Sequence, residues 1–241
     1  MINIQHCDIQ TVHLQGRQEL HVCGKLDPAM YKLISAVPTD QYGVVVMTSG
    51  GGSAASAAKI TEYFNRYNKP IRIEEYCASA CADIMFMGAK SVTVSDRALV
   101  LFHYTSSYVY DSYRFGGGKS PAAVSRFEAE AETAFYKKVG LDVSFLNKVA
   151  FSGWPICVDA VPGQPDETYE AYHIDWVVPT RKQIEAYRGT FSGYWPSSAA
   201  EVGEILASQN MIAKGHTIKF EMLDSYKFAP LCGGQPSGPT N

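Results

Sequence analysis

Val44-Val45-Val46-Met47-Thr48-Ser49-Gly50-Gly51-Gly52-Ser53 is the stretch whose reading decides the fold class. Val44 to Met47 is a continuous apolar, β-branched run, the pattern of a strand buried on both faces. The glycines that follow permit positive φ and close approach of another backbone. From Ser53 to Tyr67, the residues Ala57, Ile60, Tyr63, Phe64 and Tyr67 recur at helical spacing. Ser53 stands where a helix cap is wanted and Pro70 stops the pattern. Buried strand, glycine turn and amphipathic helix, in that order, make one unit of an α/β sheet.

Working outward, the same rhythm repeats. Leu20 to Gly24 alternates as a short strand, and Pro28 to Ala36 reads as a helix with Pro28 in its first turn. Ile71 to Tyr76 predicts a strand, Ser79 to Met87 an apolar helix closed by Gly88, and Ser91 to Val94 and Ala98 to Phe102 two more strands. This argues an α/β domain with right-handed crossovers. Tyr104 to Lys119 has no period and reads as a long loop. Helices are expected over Pro121 to Val139 and near Val143 to Phe151, and a last strand of the domain at Ile174 to Val178. We read residues 1–189 as one domain and 190–232 as an extension packed on it. That extension holds a helix around Ala199 to Gln209 and a strand around Thr217 to Leu223. Residues 233–241 form a tail of disordered composition.

The bulk properties exclude several classes. At 241 residues the chain buries enough apolar surface to fold without metal or disulfide staples. A net charge of −3 gives no reason to expect nucleic acid. No apolar window reaches the length of a membrane span. The first residues lack a basic and apolar leader pattern, so a cytoplasmic setting is expected. The cysteines at 7, 23, 77, 81, 157 and 232 show no tight framework and are expected reduced and buried. A Cys77–Cys81 bridge would require the helix beginning there to start irregularly.

Three features carry chemistry. Ser79, in Cys77-Ala78-Ser79-Ala80-Cys81, sits where a strand gives way to an alanine-rich helix. A serine there is ordinarily a helix cap, but the same position exposes its Oγ beside free N–H groups and the positive end of the helix dipole. The N–H of Ala80 would face an oxyanion formed at that serine. The glycine run is either a tight turn or a nest of N–H donors for an anion. His103, which closes the strand Ala98 to Phe102, is a base at the edge where the other two emerge. Nucleophile, base and oxyanion donors are what acyl transfer needs. Gly118-Lys119-Ser120 lacks the glycine and strand of a phosphate loop, and His21 and Cys23 lack a second ligand pair for a metal.

Leu20 to Gly24, Ser49-Gly-Gly-Gly-Ser53, Tyr76-Cys-Ala-Ser79 with Gly88-Ala89, and Arg97 to His103 together resemble the ClpP family of serine peptidases, in a divergent branch. In that family the nucleophilic serine follows two small residues and the histidine comes 24 residues later, as Ser79 and His103 do here. The resemblance spans about residues 18 to 180. It implies a crotonase-like (ClpP-type) fold of stacked β-β-α units with a projecting helix. It also implies Ser79 as nucleophile, His103 as general base, and Gly51 or Gly52 with Ala80 as oxyanion donors. An acid would orient the histidine; counting back from a helix and strand in Glu170 to Asp175 lands at Asp159, with Asp166 the runner-up.

The family's glycine motif carries proline where Gly50 stands, and the segment after His103 is long and glycine-rich. The expectation is therefore a serine endopeptidase needing no cofactor or metal. It would act on a peptide or unfolded protein, as a homo-oligomer, with a AAA+ unfoldase a doubtful partner. A catalytically silent assembly or binding module, or a crotonase-type acyl-CoA enzyme, are the alternatives.

Overall fold

The computed structural model describes residues 10–16, 18–103, 105–106, 123–152, 157–160, 169–172, 176–209, 218–220 and 222. Most of the loop expected at Tyr104 to Lys119, and the tail at 233–241, lie outside the described residues.

The chain opens with an antiparallel hairpin, β1 (Thr11–Gln15) and β2 (Glu19–Cys23), Val12 facing Val22. Helix α1 (Pro28–Ser35) follows, its N-cap Asp27 accepting from the Met30 N–H. The decisive stretch is β3 (Val44–Ser49), a strand buried from Val45 onward. It feeds α2 (Ala54–Arg66), where Ser53 Oγ accepts from the Ser56 N–H. Then come β4 (Ile71–Ala78), the wide helix α3 (Cys81–Phe86), β5 (Val92–Val94) and β6 (Leu99–Leu101). Helices α4 (Ala123–Val139) and α5 (Ser144–Ser152) are followed by the short strands β7 (Cys157–Ala160), β8 (Tyr169–Tyr172) and β9 (Trp176–Val177). Helix α6 (Arg181–Arg188), β10 (Ser192–Gly193), α7 (Ala199–Ser208) and β11 (Ile218–Lys219) complete the described order.

The main sheet runs β1-β2-β3-β4-β5-β10, and all its pairings after the first hairpin are parallel. β4 is long enough to serve two partners: Ile71 to Ile73 pair with β5, and Tyr76 to Ala78 with β6. The mixed α/β class with a parallel sheet is thus the one expected of a ClpP-type chain. The core has two parts. Val45, Met47, Ile73, Ile60, Phe64 and Ile84 lie among the larger buried set with α1, α2 and α3. Tyr76, Leu99 and Leu101 pack with Val202, Ile205 and Leu206 of α7. β10 extends the main sheet through Ser192 opposite Thr93. Arg188 ends α6 and donates to the carbonyls of Phe86 and Ala89, securing the far end of α3. Burial holds that guanidinium down to about 10.

Candidate active site

Three neighbouring parallel strands end together. Ser49 of β3 pairs with Cys77 of β4, and Ala78 of β4 pairs with Leu101 of β6. The Ser79 N–H donates to the Leu101 carbonyl at 3.0 Å. Gly50, Ser79 and Phe102 therefore leave the sheet side by side, with His103 one residue further on. This carboxyl edge is where parallel sheets present their sites.

Ser79 turns the chain from β4 into α3 in the left-handed region, at φ +56°. A serine pays about 1 kcal/mol or more for that conformation, and the cost is met by the packing around it. Cys77, Ala78, Ala80 and Cys81 are buried, whereas Ser79 is half-buried. The turn thus presents one side chain, as a sharp strand-to-helix elbow presents a nucleophile. The helix-capping alternative fails here. Ala80 is the cap residue of α3, no side chain caps that end, and Ser79 Oγ makes no hydrogen bond among the described residues.

The glycine loop lies directly against this elbow. Gly51 is at φ +93°, and a Cβ on it would stand 2.6 Å from the Ala78 carbonyl oxygen and 2.6 Å from Ser79 Cβ. Only glycine lets the two turns touch. The loop is also wired to the β2–α1 connection: the Leu26 N–H donates to the Gly51 carbonyl (2.8 Å) and the Ser53 N–H to the Leu26 carbonyl (2.9 Å). Gly51 spends its own N–H on Ser49 Oγ at 3.1 Å, and that hydroxyl donates to the Gly24 carbonyl at 2.6 Å. The N–H groups of Gly52 and Ala80 have no acceptor among the described residues, and Gly52 is exposed.

His103 follows the end of β6. The Phe102 N–H and carbonyl both bond Val177, at 2.9 and 2.8 Å, which fastens β9 antiparallel to this strand end. That pairing brings Trp176 edge-on to the His103 ring, 5.2 Å between centroids. Burial lowers His103 to about 4, so the imidazole is neutral, and able to accept a proton, at ordinary pH, though as a weaker base than a free histidine. No hydrogen bond joins Ser79 Oγ to His103 here, and catalytic contacts of this kind commonly tighten when substrate binds. The strand holding Trp176 is the one expected at Ile174 to Val178, but its place against His103 escapes sequence reasoning, because the Phe102–Val177 pairing is long-range.

Asp159 stands on β7 opposite Glu170 of β8, in a two-stranded sheet separate from the main one. Asp166 lies outside the described residues. The segment at Glu170 to Tyr172, expected to begin a helix, is strand β8 instead, paired with β7.

The cysteine expectation needs correction. Cys77 and Cys81 form a disulfide that brackets Ser79, and Cys23 is disulfide-bonded as well. The physical reason is the irregular helix start. The left-handed Ser79 and the wide first turn of α3 bring the two Cα atoms to 5.2 Å, inside the bridging range.

No protein-family model matches the sequence, and no curated protein does. Among solved structures the chain is similar to the ClpP protease catalytic domain from Plasmodium falciparum. The two share 13% identity over 76% of this chain and 87% of that one, at a TM-score of 0.39. It is also similar to a mutant of the 1510-N membrane-bound stomatin-specific protease, at 9% identity over 87% and 93% of the two chains and a TM-score of 0.38. Another mutant of that protease, in complex with a substrate peptide, gives 9% identity, 86% and 91% coverage and a TM-score of 0.37. Among the described residues no helix is long and apolar enough to cross a membrane.

Proposed function

We propose that the chain is a ClpP-like serine peptidase that cleaves peptide bonds through an acyl-enzyme. One observation carries the reading: Ser79 is held in a left-handed elbow with its Oγ uncommitted, packed against a glycine loop whose Gly52 N–H is free to donate. Ser79 Oγ attacks the peptide carbonyl carbon while its proton passes to the neutral His103 imidazole. The Gly52 and Ala80 N–H groups stabilise the oxyanion, and Gly51 supplies the close approach that sets them beside Ser79. The C–N bond breaks and the amine departs with the proton from His103. Water, deprotonated by the same base, then attacks the ester carbonyl and releases Ser79. Asp159 is the acid we assign to orient the imidazole.

Small residues around Ser79 suit an extended peptide paired along a strand edge, and a homo-oligomer would enclose the site. The assignment of residues 1–189 as the peptidase domain and 190–232 as its extension belongs to the same reading. The cytoplasmic setting expected from the sequence sits badly with the bridge around Ser79. Disulfides persist in oxidising compartments, and we place the protein in one.

The test is hydrolysis of an unfolded protein by the disulfide-intact chain, with new amino termini read by mass spectrometry. The wild type yields such termini and Ser79→Ala yields none. The missing Ser79–His103 hydrogen bond favours a second reading, a catalytically silent binding module. A wild type that gives no product supports that one.

A further inference from the structure

An oxyanion donor acts only if it is held in place before the charge develops. Gly50 to Gly52 have no side chains to hold them, so the loop must be fixed from outside. The β2–α1 connection ties its inner side, through Leu26 and Gly24. Its outer side is tied by a residue far along the chain. Glu128, on α4, accepts from Ser53 Oγ at 2.8 Å through Oε1 and from the Ala55 N–H at 2.9 Å through Oε2. One carboxylate thus spans the turn that leads out of Gly52, at the positive end of α2. Ser53 Oγ already caps α2 by accepting from the Ser56 N–H at 3.1 Å. A second cap, delivered from another helix, is more than α2 alone requires.

The same face of α4 reaches the other half of the site. Residues four and eight positions past Glu128 share its stripe. Glu132 is buried, and its charge acts on the buried Asp83 of α3. The Tyr136 hydroxyl donates to the Asp83 carbonyl at 2.7 Å, and the Asp83 N–H in turn donates to the Ser79 carbonyl at 2.8 Å. Helix α4 therefore contacts both the helix that follows the glycine loop and the helix that follows the serine.

We propose that Glu128 is a positioning residue for the oxyanion loop, holding the Gly52–Ser53 turn so that the Gly52 N–H faces Ser79. The proposal rests on the peptidase reading for its catalytic consequence but not for its structural one. Two measurements separate them. The first is amide hydrogen exchange in the Ser79→Ala background, which requires no turnover. Glu128→Ala is expected to speed exchange at Gly51 and Ser53 by about 10-fold or more, as local opening of the loop becomes easier. Neither amide bonds Glu128 itself, and Glu128→Gln, which keeps one acceptor and the side-chain shape, restores most of the protection. Faster exchange at Ala55 alone would mean that Glu128 is only a helix cap, and would overturn the proposal.

The second measurement is steady-state kinetics on the unfolded-protein substrate. Glu128→Ala is expected to lower kcat about 10-fold with KM unchanged, a fraction of the 10²–10³ that loss of a whole donor costs. Loosened exchange with unchanged kcat in an active enzyme would also overturn it. A wild type without peptidase activity whose loop still loosens would sink the peptidase reading and leave the structural role of Glu128 standing. Should Glu128→Ala not fold, Glu128→Gln alone decides: Gly51 and Ser53 exchange between wild-type rates and a 10-fold gain supports the role, and wild-type rates contradict it.

Discussion

Gly51→Ala slows acylation of Ser79 by at least about 100-fold and destabilises the protein by about 3 kcal/mol. The cause is backbone against backbone. At φ +93° an L side chain is strained, and the added Cβ would lie 2.6 Å from the Ala78 carbonyl oxygen and 2.9 Å from the Ala80 nitrogen. Neither atom belongs to a flexible side chain that can swing away. The glycine loop and the Ser79 elbow must move apart, and the Gly52 and Ala80 donors then no longer converge on one point. Gly189→Ala is the control. Gly189 also has positive φ, +82°, but a Cβ there meets nothing within 4 Å. Because φ +82° with ψ −176° is a region essentially confined to glycine, the substitution is expected to cost about 1–3 kcal/mol of strain but leave the acylation rate unchanged. Labelling kinetics and denaturant unfolding of both variants check this; equal behaviour would show that Gly51 contributes only its φ.

His103 sets an acid limb for the reaction well below that of an ordinary histidine. Burial puts its folded-state value at about 4, against 6.5 for the free side chain. The base is the neutral form, so the acylation rate should hold between about pH 8 and pH 5 and fall only near pH 4. The stability consequence has a definite sign. The unfolded chain takes up the proton first, because its value is the higher one. Stability linked to His103 is therefore fully present above pH 6.5 and is lost as pH falls from 6.5 toward 4. The full loss is on the order of 3 kcal/mol. His103→Gln should remove that part of the acid sensitivity. A rate profile with its acid limb near 6.5 would show instead that His103 is open to solvent in the working enzyme.

Local pattern made the first half of the fold legible. The apolar run at Val44 to Met47 is β3, the periodic segment from Ser53 is α2 with Ser53 as its cap, and Ile71 to Tyr76 and Ala98 to Phe102 fall on β4 and β6. Strands decided by pairing were not legible. Whereas β9 falls within the strand expected at Ile174 to Val178, β10 is two residues long and β8 took a segment expected to begin a helix. Such strands exist because a neighbour supplies the ladder, and no periodicity announces them.

At the site the order of Gly51, Ser79 and His103 was readable, since all three follow strands. Their environments were not. That Gly51 spends its N–H on Ser49 Oγ while Gly52 keeps its own depends on hydrogen bonds to Gly24 and Leu26. The Cys77–Cys81 bridge turns on one residue's left-handed φ, and Glu128 reaches the loop from 75 residues away.

The central claim, an activated serine at position 79, is tested most directly by intact-mass labelling with a fluorophosphonate probe. The disulfide-intact wild type is compared with Ser79→Ala and His103→Ala at about pH 7, where His103 is neutral. The account predicts a single adduct on the wild type, none on Ser79→Ala, and none on His103→Ala over the same time. A wild type that remains unlabelled, or an adduct that survives on Ser79→Ala, would contradict it.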